Sequence, residues 1–178
     1  MAYLLQHSNF HVSTDLLANS IRSGAAIAVT DASVKVTKRT SSVAWIITDR
    51  LRSFTVEGVS GCPKFHAAID SYSAELFGIL IILLVCHHTC EYFNIDKGSL
   101  TIACDNDASL RQAIESVTRA KVSDPFFNLL WAAHEFRDSF NIKFRAKQVK
   151  GHQDSLKKRS LNFYERLNVA MVANAKQF

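Results

Sequence analysis

Three short apolar runs follow one another early in the chain. AAIAVTD (25–31) is compact and ends in an acid, SVAWIITD (42–49) is β-branched with one aromatic, and FTVEGV (54–59) alternates. Runs of this length and composition, separated by polar turns, predict three consecutive strands, and strands joined so closely must run antiparallel. From residue 70 to 93 the period changes to that of a helix, with Asp70 or Ser71 as the N-cap and Leu76, Ile79, Leu80, Leu83 and Leu84 repeating. This helix is apolar around most of its circumference, which predicts cover on several sides.

SLTIACD (99–105) is a further buried strand closed by an acid, and DASLRQAIESV (107–117) is helical. Asp124-Pro125 opens another helix running to about Phe140. In NIKFRAKQV (141–149) strict alternation puts Lys143, Arg145 and Lys147 on one face and Ile142, Phe144, Ala146 and Gln148 on the other. A last helix covers about 161–176. Ahead of all these, Thr14 to Arg22 carries Leu16, Leu17 and Ile21 at helical spacing and stops at Gly24, so residues 1–23 read as an N-terminal extension with a short helix and 24–178 as one domain. The order βββ-α-β-α-α-β-α predicts an α/β fold with helices flanking a five-stranded mixed sheet, three strands antiparallel and then two parallel.

Ligands of open α/β sheets gather at the carboxyl ends of the parallel strands. Asp31 and Asp105 end two such strands, and Glu75 stands in the first turns of the long helix, each among apolar neighbours. Burying an unpaired acid costs several kcal/mol. Acids set into three core elements therefore imply cations, and an all-oxygen set suits Mg²⁺ or Mn²⁺. Taken singly, each acid is equally consistent with a turn, a cap or a solvated first helical turn.

VTDAS at Asp31, YSAELFGIL at Glu75, IACDN at Asp105, VKGHQD at His152 and LNVAMVANAK in the last helix together resemble the motifs of type I ribonuclease H domains, particularly those of retroelement reverse transcriptases. The resemblance spans about 24–177. It implies endonucleolytic cleavage of the RNA strand of RNA/DNA hybrids by two Mg²⁺ ions, with Mn²⁺ a substitute, held by Asp31, Glu75 and Asp105. His152 would assist by moving protons or loosening a metal at product release. The partners it implies are the hybrid and other domains of a retroelement polyprotein.

One position departs from that family. Where it carries a fourth acid, four residues after an Asn, this chain has Asn168 followed by Val172. Glu165, Asn168, Asn174 and Asp154 are the nearby polar residues, and none occupies the equivalent place. The alternative to an enzyme is therefore an inactive module that keeps the fold and binds nucleic acid or protein.

Charge adds a partner class. There are 21 Lys plus Arg against 16 Asp plus Glu, a formal +5, and much of the excess lies in Lys143, Arg145, Lys147 and Lys150 and again in Lys157, Lys158 and Arg159. Such a row either meets phosphates or is a solvated strand face. Ser33 and Asn106, each just beyond a candidate acid, are groove contacts for RNA 2′-hydroxyls or else turn and cap residues.

The cysteines at 62, 86, 90 and 104 lie in apolar surroundings and the N-terminus lacks the pattern of a signal peptide, so a reducing intracellular setting, cytoplasmic or nuclear, is expected. The uncharged stretch 76–86 reads as a buried helix, too short to cross a membrane. CHHTC (86–90) invites a zinc reading, but no partner pair for Cys86 and Cys90 is evident.

Overall fold

The computed structural model describes residues 8–10, 14–35, 37, 39–63, 70–151 and 160–178. Its sheet contains strands β2 (Ala26–Lys35), β3 (Thr40–Thr48), β4 (Thr55–Gly61), β5 (Lys97–Cys104) and β6 (Asn141–Gln148). A short β1 (Ser8–Phe10) adds to one edge, giving the order β1-β4-β3-β2-β5-β6. The five-stranded mixed sheet expected from sequence is present: β2, β3 and β4 are antiparallel neighbours, while β5 runs parallel to both β2 and β6. β1 is the addition that apolar periodicity did not signal, since three residues are too few to show an alternation.

Alternation along β2 divides the core in two. Ala26 and Ala28 face a cluster with α1 (Thr14–Ser23), α2 (Ser71–Tyr92) and α4 (Phe127–Asp138); Ile27 and Val29 face Leu167, Met171 and Ala175 of α5 (Phe163–Gln177). The result is three layers, with α5 alone on its side among the described residues. Leu17, Ala18 and Ile21 of α1 are wholly within the main core. α1 sits so close to β5 that a Cβ on Gly98 would overlap the carbonyl of Ile21.

α2 is the central packing element. Asp70 caps it by accepting from Ser73 N at 2.7 Å. Its 22 residues are long and apolar enough to cross a bilayer, yet 83% of the apolar window is buried inside the fold. Gly78 brings it against the sheet, because a Cβ there would overlap Thr30 Oγ1 and Val43 Cγ2.

Several boundaries differ from expectation for identifiable reasons. β2 continues past Asp31 to Lys35, because its antiparallel pairing with β3 extends to Lys35↔Thr40 whereas its parallel pairing with β5 stops at Val29↔Ala103. Asp31 therefore lies inside a strand, where that strand loses one neighbour. The helix after Asp105 is α only over α3 (Asp107–Leu110) and becomes a π turn over Arg111–Glu115. Buried His134 ties down that region, its Nε2 donating to Gln112 O at 2.8 Å while Nδ1 accepts from Ala120 N at 3.2 Å. Asp124-Pro125 makes a turn before α4, with Phe126 in the left-handed region at φ 59°. At the end of β6 the alternation slips: Gln148 is exposed and Val149 turns inward, its N–H donating to Cys104 O at 3.0 Å.

Candidate active site

Where β2 and β5 part, the sheet opens a gap between its two helical layers. Asp31 reaches the gap from β2 on the α5 side, and only 4% of it is exposed. Glu75 arrives from α2 in the opposite layer, is also 4% exposed, and accepts from the Ala32 N–H at 2.8 Å with Oε1. This bond locks the first turns of α2 to the residue next to Asp31. Glu75 Oε2 accepts from the Cys104 thiol at 3.3 Å. Asp105 follows immediately on the rim, half-buried, and the ligand atoms of Glu75, Cys104 and Asp105 lie within 4.8 Å of one another.

α5 closes the other side. Asn162 caps it in a reciprocal box with Glu165, whose side chain accepts from Asn162 N at 2.9 Å. That fixes the helix so that Asn168, 2% exposed, donates Nδ2 to Asp31 Oδ2 at 2.8 Å. Asn168 Oδ1 is buried with no hydrogen-bond partner among the described residues. Val172 follows one turn later on the same face, half-buried and outside the set formed by Leu167, Met171 and Ala175.

The electrostatics are those of crowded buried acids. Burial, and after it the charge of Asp105, pushes the Asp31 carboxyl up to about 7, against the opposing pull of Asn168 and Lys176. Burial, then Asp31 and Asp105, holds Glu75 well above the usual carboxylate range. The Cys104 thiol is raised for the same reasons, burial first and the Glu75 charge second, so it remains a proton donor. A Cβ on Gly151 would overlap the Asp105 carboxylate, so Gly151 passes close beside this acid and a side chain there would displace it.

The charge of Asp105 thus raises Asp31, and the charges of both raise Glu75, but Asp31 is not a member of the group of ligand atoms within 4.8 Å, which is Glu75, Cys104 and Asp105. His152 and Asp154 lie outside the described residues. Glu165 is engaged in its own helix cap, and Asn174 is half-buried further along α5. Asn106 serves as the N-cap of α3, accepting from Ser109 N at 3.0 Å. Ser33 is half-buried two residues beyond Asp31 on the same strand face. Lys143, Arg145 and Lys147 are exposed on β6 opposite Ser99, Thr101 and Ala103, and Ala103 belongs to the α5-side cluster. The basic row therefore lies on the sheet face that carries Asp31. α5 packs on β2, β3 and β4, leaving β6 beside it.

Cys104, which reads in sequence as one of four cysteines in apolar surroundings, and Gly151, which carries no expectation there, both stand beside Asp105. Their positions beside Asp105 in ACD and before His152 in KGH were the available signals.

The fold is that of the ribonuclease H-like class. The foamy viral protease-reverse transcriptase solved with dsDNA superposes with a TM-score of 0.60 at 13% identity, covering 88% of this chain and 95% of that one. The N-terminal ribonuclease H domain of Rv2228c from Mycobacterium tuberculosis, solved as a fusion with maltose-binding protein, gives 0.55 at 14% identity, with 85% and 96% covered. LC11 ribonuclease H1 in complex with an RNA/DNA hybrid gives 0.55 at 14%, with 73% and 88% covered. No family model and no curated protein sequence matches the chain.

Proposed function

We propose that this chain is a reverse-transcriptase-associated ribonuclease H domain that hydrolyses the RNA strand of RNA/DNA hybrids. The observation that carries the reading is the closeness of buried Glu75 to Asp105 at the gap between β2 and β5, with buried Asp31 beside it influencing Glu75 through its charge. The nuclease unit would be residues 24–178 together with α1, which the sequence places in an N-terminal extension but whose Leu17, Ala18 and Ile21 lie in the main core, and an intracellular setting accords with four free cysteines.

The donors fit a hard divalent cation. Three carboxylates offer oxygen, the buried Asn168 Oδ1 is a neutral oxygen without a partner among the described residues, and acids whose pKa is raised by burial and then by one another's charge are relieved by positive charge. Asp31, Glu75 and Asp105 would hold Mg²⁺, or Mn²⁺ in its place, and the ions when bound would supply an activated water for in-line attack and stabilisation of the leaving 3′ oxygen. The protein's own contribution is orientation. Asn168 fixes Asp31, while the Ala32 amide and the Cys104 thiol fix both oxygens of Glu75. His152 would assist by moving protons or by loosening a metal at product release.

Lys143, Arg145 and Lys147 would meet phosphates on the uncovered part of the sheet. Ser33 and Asn106 would read 2′-hydroxyls, which distinguish RNA from DNA.

A second reading, an inactive nucleic-acid-binding module, rests on Val172, which offers no ligand where a fourth acid would complete the set. Incubating a labelled RNA/DNA hybrid with the chain in Mg²⁺ and then Mn²⁺ separates the two. Cleavage that Asp105→Asn abolishes supports the nuclease. Hybrid binding without cleavage in either metal favours the module, and neither binding nor cleavage overturns both.

A further inference from the structure

The far end of α2 carries a second group of ligand-bearing side chains, on the opposite end of the helix from Glu75. His87, His88 and Glu91 present one ligand atom each within 4.8 Å of one another. Cys86 and Cys90, which the CHHTC motif offers as ligands, are 1% and 0% exposed and belong to the hydrophobic core. The helical turn that buries the two thiols directs the histidines outward to Glu91.

The His87 ring is held for ligation. Ser139 Oγ, when it donates its single proton to Phe136 O at 2.8 Å, can accept from His87 Nδ1–H, also at 2.8 Å. That assignment leaves the lone pair on Nε2, which faces Glu91 Oε2 at 4.0 Å. Phe136 and Phe140 pack against the ring with centroids at 5.1 and 5.2 Å and fix its plane. A metal-bound imidazole is commonly anchored in this way, its second nitrogen donating to a fixed oxygen. Burial and the neighbouring His88 also keep His87 below its usual pKa, favouring the neutral ligand form. His88 Nδ1 approaches the same Glu91 oxygen at 3.4 Å.

We propose that His87 Nε2, His88 Nδ1 and Glu91 Oε2 form a binding site for a borderline divalent transition ion, Zn²⁺ in the first instance, separate from the carboxylate cluster. Tetrahedral zinc with bonds of about 2.0–2.2 Å sets its ligand atoms roughly 3.3–3.5 Å apart. The 3.4 Å pair already satisfies this, and the 4.0 Å pair closes with a small rotation of the exposed Glu91. Two imidazoles and one carboxylate select zinc over magnesium. Three protein ligands leave a fourth position toward solvent, where the side chains of His88 and Glu91 are 40% and 66% exposed.

Titration calorimetry of Zn²⁺ into the full chain, with Mg²⁺ in excess to occupy all-oxygen sites, should show one zinc per chain. Glu91→Gln and His88→Ala alter exposed side chains and spare the core, and each should weaken binding about 10- to 100-fold. Ser139→Ala, which removes only the anchor of His87, should weaken it roughly tenfold. Asp105→Asn should leave it unchanged. Absence of zinc uptake overturns the proposal. So does uptake that survives Glu91→Gln and His88→Ala, or uptake that Asp105→Asn removes.

Discussion

Asn168 donates to Asp31 at 2.8 Å, joining α5 to the strand that carries a buried acid. This bond favours the charged carboxylate against burial and against Asp105, which together raise it to about 7. Asn168→Ala removes the favourable contribution, so Asp31 should ionise at still higher pH. The acid limb of the pH–rate profile for hybrid cleavage should shift toward alkaline pH, whereas Glu165→Gln, a change at the helix cap, should leave that limb in place.

Without a cation, the same acid makes folding pH-dependent. The folded pKa of about 7 lies above the ordinary 3.8, so the folded chain binds the extra proton between those values. Its contribution to stability is fully present below 3.8 and is lost as pH rises through 7. Glu75, also raised, acts with the same sign. Thermal melts in chelator across this window should show Tm falling with pH, and Asp31→Asn should flatten the fall. Adding Mn²⁺ should restore stability most at the alkaline end.

Val172 shares its helical face with Asn168 and is half-buried outside the α5 core set. Introducing a carboxylate there, Val172→Asp, should raise both Mn²⁺ affinity and hybrid cleavage by roughly an order of magnitude. Calorimetry and cleavage should rise together. A folded variant with neither changed would remove position 172 from the site.

Two glycines should separate positioning from stability. Gly78→Ala drives a methyl into Thr30 and Val43, costing about 1–3 kcal/mol by urea denaturation. Gly151→Ala meets the Asp105 side chain on the rim, so it should reduce metal affinity with a smaller loss of stability.

Hybrid binding should depend on salt through the β6 row. Lys143→Ala with Lys147→Ala should reduce the slope of log affinity against log salt by about 0.7–0.9 per lost phosphate contact. The chain should also prefer hybrid to duplex DNA, and equal affinity for the two would count against 2′-hydroxyl reading.

The sheet, the long helix and the three acids were legible because each is carried by a run of residues with a period or by an acid inside such a run. What was hidden depends on neighbours remote in sequence. Asp31 marks the end of a strand only against β5, and nothing in VTDAS reports that β3 continues beside it to Lys35. Cys104 reads as one more small apolar residue until Glu75, 29 positions earlier, accepts its proton. Asn168 was visible as a polar interruption of the last helix, but its contact with Asp31 spans 137 positions. The π turn lies where His134, 22 positions later, bonds to Gln112, a contact that local propensity does not encode.

The strand order leaves β6 as an outer edge of the sheet. An exposed edge presents unpaired backbone groups that template addition of another chain, and lysines along it are a common deterrent. Lys143, Arg145 and Lys147 therefore also keep copies of this protein from joining edge to edge. Removing two of them takes away charge that opposes self-association, so the double alanine variant should form higher oligomers in light scattering as protein concentration rises, in the complete absence of nucleic acid.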